Sequence, residues 1–304
     1  MDVRILDLDG ALTRQIELVQ GRRVVEGLQD WGPRIRLACS FGRFRRFEQA
    51  LANQLGADQD DSPQLTFCGS GDFHHVSLAL VRRLRRPFNL LVLDNHPDWM
   101  RGVPFLHCGT WLRHASLLPL VRRVFHVGGE VDFDNSYRWM APWPQLREGR
   151  IRVIPAYRRF QRGAWAHIPH EPLRPAADAL ADRSRLDELL RPHRAELASL
   201  PLYVSLDKDV MNPAEAVVNW DSGRLTAGEI ACALDAFREA AGGRLAGMDV
   251  VGDWSPVRLH GWFRWLFHLT MHPPLAIDAD DADCINQHGN MRLIADQART
   301  AAAA

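Results

Sequence analysis

The chain has 304 residues, 46% of them hydrophobic, enough for one large α/β domain or two small ones. Lys+Arg and Asp+Glu number 37 each, so the formal net charge is +0 and no global field draws nucleic acid or an anionic membrane surface. No stretch approaches the roughly 18 consecutive apolar residues of a membrane-spanning helix, so no membrane partner is expected.

In chain order, short apolar runs alternate with longer amphipathic ones. Val3–Leu8 and Ile35–Cys39 read as strands, Phe44–Leu55 as a helix, Leu65–Cys68 as a strand and Val76–Leu84 as a helix. Leu90–Leu93, Val124–Val127 and Ile151–Ile154 follow as strands. Tyr157 to Asp182, rich in Pro, Arg and His, reads as a long loop, and Leu186–Leu190 as a short helix. Leu202–Leu206 is the next strand. Thr226–Ala240 is a helix opening with a capping box from Thr226 to Glu229, and Leu245–Val251 is the last strand. The tail from about residue 298, ending in Ala301–Ala304, is expected to fray. Continuous apolar strands alternating with helices predict a mainly parallel sheet covered on both faces, in one domain.

The five cysteines (Cys39, Cys68, Cys108, Cys232, Cys284) are scattered without zinc-ribbon or CxxC spacing, which suits free thiols in a reducing cytoplasm. The N-terminus lacks a basic region followed by an apolar stretch, so a cytoplasmic location is expected. Of the 37 basic residues only Lys208 is a lysine, a bias we attribute to genome composition.

In open α/β sheets, ligands bind beyond the carboxyl ends of the strands. Four polar segments stand at such ends: Cys68 to His75, Asp94-Asn95-His96-Pro97-Asp98, Asp207-Lys208-Asp209, and Asp249 to Asp253. In an extended segment, residues two apart project the same way. The second segment therefore aims Asp94, His96 and Asp98 at one point, and the third adds Asp207 and Asp209. Four ionised carboxylates sit together only when cations neutralise them. A mixed His/Asp set suits Mn, Fe, Ni or Zn better than calcium. Two metals sharing bridging carboxylates is the natural reading. Helix caps and turns would account for any one of these segments, but not for the joint pattern.

These motifs resemble those of the ureohydrolase superfamily of arginase, agmatinase and formiminoglutamase. The family's Asp-Ala-His-x-Asp stands here as Asp94-Asn95-His96-Pro97-Asp98. Its Ser-x-Asp-x-Asp-x-x-Asp-Pro stands as Ser205 to Pro213, with Asn212 replacing an Asp. Gly223-Arg224-Leu225-Thr226 matches the family's Gly-Gly-Leu-Thr. Its Gly-Gly-Asp-His-Ser turn appears as Gly69-Ser70-Gly71-Asp72-Phe73-His74-His75, with one residue extra, and the phase of the following helix favours His74 over His75 as the ligand. The likeness runs from about Leu65 to Pro256. It implies a three-layer α/β/α domain with a binuclear manganese centre at the carboxyl edge of the sheet. One metal would take His74, Asp94, Asp98 and Asp207, and the other Asp94, His96, Asp207 and Asp209. Such a pair makes hydroxide available near neutral pH for attack on a guanidine, amidine or amide carbon. The resemblance also implies a proton-shuttling His107 at the mouth of the site, in His107-Cys108-Gly109-Thr110-Trp111. The partner is then a small-molecule substrate. Family members often form trimers or hexamers, so a homo-oligomer is expected, although no segment here dictates an interface.

Departures fall where substrate would be held. Guanidine-cleaving members carry Asp-x-x-Glu-x-x-Pro after the last strand. Here the run is Asp249-Val250-Val251-Gly252-Asp253-Trp254-Ser255-Pro256, with Gly252 at the Glu position. Asp253, after a one-residue shift, and Trp254 are the expected substrate contacts, and His260, Trp262 and Trp265 offer an aromatic wall. Lys208 is expected to point away from its flanking ligands. Arginine and agmatine are poor fits, because glycine offers a guanidinium no counter-charge. Two other readings remain: a non-catalytic relative that keeps the fold for binding or regulation, and a haloacid-dehalogenase-type phosphatase suggested by Asp7-Leu8-Asp9-Gly10.

Overall fold

Apolar runs such as Phe88–Leu93 and Leu202–Asp207 are buried along their whole length, which requires a sheet covered on both faces. The computed structural model describes residues 1–56, 62–101, 104–128, 137–155, 183–259, 264–265, 268–269 and 272–302. Ten strands lie among them: β1 Asp2–Leu6, β2 Arg23–Val25, β3 Ala38–Cys39, β4 Gln64–Phe67, β5 Phe88–Leu93, β6 Leu106–His107, β7 Val121–Gly128, β8 Ile151–Pro155, β9 Leu202–Asp207 and β10 Leu245–Val251. Eight form one sheet in the order β2-β1-β4-β10-β9-β5-β7-β8, and every pairing in it is parallel.

Alternate residues of each strand enter separate cores. Leu90 and Val92 pack with Phe44, Phe47, Val76 and Trp111, whereas Leu91 and Leu93 pack with Leu186, Ile230 and Phe237. The first core is closed by helices Phe41–Leu55, Val76–Val81 and Trp111–Ser116. The second is closed by Arg183–Leu190, Ala227–Ala240 and Ala279–Ala302. The result is three layers, α/β/α, in which each fully buried aliphatic side chain contributes about 1.5–3 kcal/mol. The expected capping box is present: Thr226 Oγ1 accepts the Glu229 N–H while Glu229 accepts the Thr226 N–H.

The register decides where the chemistry sits. Leu93 pairs with Leu206, Val251 with Asp207, and Val250 with Phe67, so β4, β10, β9 and β5 end level with one another. Their following loops share one rim at the middle of the sheet.

One local expectation needs correction. Ile35–Cys39 is not a sheet strand: Pro33 starts a short helix at Gly32–Ile35, Leu37 turns the backbone left-handed (φ 63), and only Ala38–Cys39 pairs, antiparallel, with β6. The edge strand β2 had no apolar run to announce it. A long helix, Ala279–Ala302, follows the last strand without an apolar stripe to announce it. The loop expected over Tyr157 to Asp182, like His260 and Trp262, lies outside the described residues. Among the described residues, no helix is long and apolar enough to cross a membrane.

Candidate metal centre

β5 delivers Asp94 to the rim, and the next four residues fold back over it. The N–H of His96 donates to Asp94 Oδ1 (2.7 Å), and that of Asn95 to Asp209 Oδ1 (3.0 Å). Asp98 adopts φ 46, a left-handed conformation uncommon for a non-glycine residue, and it aims its carboxylate back into the site. β9 ends on Asp207, whose Oδ1 accepts the Asp209 N–H (3.0 Å) across a tight turn. From β4, the turn Gly71–Phe73 absorbs the extra residue, burying Phe73 under the Arg36 guanidinium, and presents His74.

These side chains converge. His74 Nδ1 lies 2.9 Å from Asp98 Oδ2 and 3.3 Å from both Asp94 Oδ2 and Asp207 Oδ2. His96 Nδ1 lies 2.7 Å from Asp209 Oδ2 and 4.0 Å from Asp94 Oδ1. Two groups have the spacing to hold a metal ion, His74 with Asp94 and Asp98, and Asp94 with His96 and Asp209; Asp94 belongs to both. All six residues expected as ligands therefore meet at one place. His75 turns away into the core beside Phe44, where burial lowers its pKa to about 3.

The donor set fits a cation. Ser205 Oγ donates to Asp249 Oδ1 (2.8 Å), so it accepts from His74 Nε2 (3.0 Å). That places the proton of a neutral His74 on Nε2 and turns the bare Nδ1 toward three carboxylates. Such an arrangement is repulsive unless a positive charge lies between them. Neither His74 Nδ1 nor Asp94 Oδ2 has a well-aligned hydrogen-bond partner, although both are buried. Burial, followed by the charge of Asp98, pushes the Asp94 carboxyl up to about 7. Burial opposes protonation of His74, but Asp207, Asp94 and Asp98 together pull its pKa well above the usual imidazole value. Both shifts express the same demand for positive charge. Asp98 is fixed by Trp111, whose Nε1 donates to Oδ2 (2.8 Å).

An open cavity lies over the cluster, lined by Gly71, Pro97, Met100, His107, Cys108 and Trp220 as well as by His96, Asp98, Asp207 and Asp209. His107 thus stands where expected. Its Nδ1 accepts the Gly109 N–H (3.1 Å), and burial, aided by His114, lowers its pKa to about 4, so the neutral ring carries its proton on Nε2. Burial pushes the Cys108 thiol well above its ordinary value, leaving it inert.

The substrate contacts expected on the last loop are not brought to this cavity. Asp253 is fully buried and accepts hydrogen bonds from Lys208 Nζ (2.8 Å), Gln15 Nε2 (2.8 Å) and Asn290 Nδ2 (3.1 Å). Trp254 is tied by its N–H to the Val217 carbonyl, and Trp265 is 57% exposed. Gly252, at φ +103, touches the site with backbone alone: a Cβ there would lie 2.6 Å from Asp207 Oδ1 and 2.7 Å from the Lys208 nitrogen. The phosphatase reading also fails, since Asp7 and Asp9 spend their oxygens on Gly10, Ala11, Thr13, Gln29 and Ser255, and Lys208 is engaged by Asp253.

Sequence reasoning missed Trp220, which sits edge-on to His96 (5.5 Å between ring centroids) and donates from Nε1 to Asp72 Oδ1 (2.9 Å). Asp72 also pairs with Arg36 Nε (2.6 Å) and with His272 Nε2 (2.8 Å). Burial opposes ionisation of Asp72, but Arg36 and His272 hold its pKa below the usual carboxylate range. An isolated Trp in a loop carries no periodic signal, so nothing in the sequence marked it.

No protein-family model matches the chain. Over 255 residues it is 26% identical to an uncharacterized protein of Thermotoga maritima, a match spanning 84% of this chain and 81% of the other. Among solved structures it is similar to proclavaminate amidino hydrolase from Streptomyces clavuligerus, with 18% identity, a TM-score of 0.53 and coverage of 95% and 92%. It is similar also to formimidoylglutamase from Bacillus subtilis (13%, TM-score 0.57, coverage 98% and 86%) and to arginase from the same organism (13%, TM-score 0.53, coverage 96% and 98%). The chain therefore has the ureohydrolase-like α/β fold, carried by a divergent sequence.

Proposed function

We propose that the protein is a manganese-dependent hydrolase that uses a binuclear centre to cleave a C–N bond in an amidine, guanidino compound or amide. One observation carries this reading: two His/Asp clusters, one buried and one half-open at His96, share Asp94 at the carboxyl rim of an arginase-like sheet. One ion would be held by His74, Asp94, Asp98 and Asp207, and the other by Asp94, His96, Asp207 and Asp209. When bound, such a pair supplies a nucleophilic water at neutral pH and Lewis-acid stabilisation of developing negative charge.

The chain's own residues do the rest. Ser205 and Asp249 fix the ring of His74, and Trp111 fixes Asp98, which limits how far the ligands relax when substrate enters. His107 lines the cavity as a neutral imidazole, and the proton it holds on Nε2 is the one available to the departing nitrogen. Trp220 and Pro97 form part of the cavity wall over the cluster.

Substrate choice follows from Gly252. A side chain there would run into Asp207, so this backbone places no carboxylate opposite a guanidinium at that position. Arginine and agmatine are thus disfavoured, and an amidine, an amide, or a guanidino compound gripped by its far end is favoured. The test is a panel of these substrates with manganese-loaded protein, followed by release of ammonia or urea. Turnover of an amidine or amide supports the reading, with arginine below about 1 per second. Arginine turnover of roughly 1–1000 per second overturns the substrate assignment. Manganese binding without turnover of any member would favour the non-catalytic relative.

A further inference from the structure

We propose that Lys208 is a positioning residue of the metal centre: through Asp253 it sets the orientation of the Asp207 and Asp209 carboxylates and ties them to both ends of the chain. The inference rests on the metal reading above, but it concerns residues that this reading does not use.

Lys208 stands between the two ligands in a single tight turn, Lys208–Val210. Its side chain is 1% exposed and points away from the cavity, with Nζ 2.8 Å from Asp253 Oδ1 and 3.2 Å from Asn286 Oδ1. Asp253 in turn accepts from Gln15, which follows the first strand, and from Asn290, on the last helix. Asn286 itself is anchored, because its side chain exchanges hydrogen bonds with the backbone of Val217 in both directions. Pulling on Lys208 therefore fixes the rotation of the turn on which Asp207 and Asp209 face the opposite way. Gly252 completes the interlock: lacking a side chain, it lets the 252–253 segment lie directly on the Lys208 backbone.

Two arguments set this pair apart from ordinary packing. A buried ion pair is a poor stabiliser, since an apolar pair of similar volume does as well or better, so its return lies in fixed geometry. Moreover, the chain uses arginine at every other of its 37 basic positions. A guanidinium spreads five donors over a planar fork, whereas an ammonium is a compact charge with three, and the acceptors converging here are two. The exception to the compositional bias falls where two acceptors converge on one nitrogen.

The decisive variant is Lys208→Met/Asp253→Asn, which removes one charge of each sign and leaves the field at the ligands nearly unchanged. Manganese titration of the metal-free full chain by calorimetry, with circular dichroism to verify folding, reads the dissociation constants of the two sites. We expect binding weakened by ~10–100-fold, as for other groups that orient metal ligands, with the larger loss at the site containing Asp209. Parent-like constants in the folded double variant would overturn the proposal. If the parent chain binds no manganese, the metal reading fails and this inference with it. Should the double variant not fold, Lys208→Arg decides: it keeps the charge and misplaces the donor, so weakened binding is expected and parent-like binding overturns the proposal.

Discussion

Asp-x-Asp stands at the carboxyl ends of two strands of the same sheet, and the two copies have opposite fates. After β1, Asp7 and Asp9 accept from Gly10, Ala11, Thr13, Gln29 and Ser255, with the Arg36 guanidinium 3.6 Å from Asp9. The protein itself supplies the donors and the positive charge. After β9, Asp207 and Asp209 meet Asp94, Asp98 and two histidines, with no arginine or lysine turned toward them among the described residues. There the two imidazoles, whose pKa values the carboxylates raise, are the groups turned toward them that can carry positive charge, and a bound cation would take the place of their protons. A carboxylate pair on a strand end thus becomes a candidate metal site or a turn according to what neutralises it.

The comparison is broken most severely at its shared ligand. Asp94→Ala should abolish binding of both metals, measured as manganese per chain after loading, whereas Asp9→Ala should leave the metal content unchanged. Loss of metal in Asp9→Ala would mean that the two strand ends are not independent. Next in size, Asp209→Ala should weaken the site that includes His96 far more than the one that includes His74, seen as two separated binding constants where the parent's lie closer together. Equal weakening of both would remove Asp209 from its assigned place.

The histidine pair sharpens the contrast further. His74→Ala should lose metal, while His75→Ala should keep it and instead destabilise the fold by about 2–4 kcal/mol through the cavity left beside Phe44, read by urea denaturation. The reverse pattern would show the turn before helix Val76–Val81 to be displaced by one residue. The smallest effect is expected at the other strand end. Asp9→Asn should lower stability by about 1.5–3 kcal/mol, because it weakens charge-assisted contacts with Ser255 and Arg36, with manganese affinity unchanged.

Much of this was legible in the sequence. The parallel sheet announced itself because strands buried on both faces, such as Leu90–Leu93, must be apolar throughout. The cluster was legible because Asp94-Asn95-His96-Pro97-Asp98 and Asp207-Lys208-Asp209 stand at strand ends, although turns, not an extended period of two, bring their side chains together. Helix phase also separated His74 from His75. The final helix Ala279–Ala302 was invisible for a physical reason: its inward positions include Ala282, Asn286, Asn290, Leu293 and Gln297, so the buried face is largely polar and no apolar stripe marks it. Those asparagines serve Lys208 and Asp253, which is why Asp253 was expected at the substrate when it belongs to the interior. A pattern read along the chain shows what faces a strand end, but not which distant side chain has already claimed it.

The central claim is that the rim carboxylates hold two metal ions per chain. The most direct measurement is elemental analysis of the manganese-loaded and desalted protein, paired with the Asp94→Ala variant. The account predicts up to two manganese ions per folded parent chain and none in the variant. A folded parent chain that retains no metal after loading would contradict it.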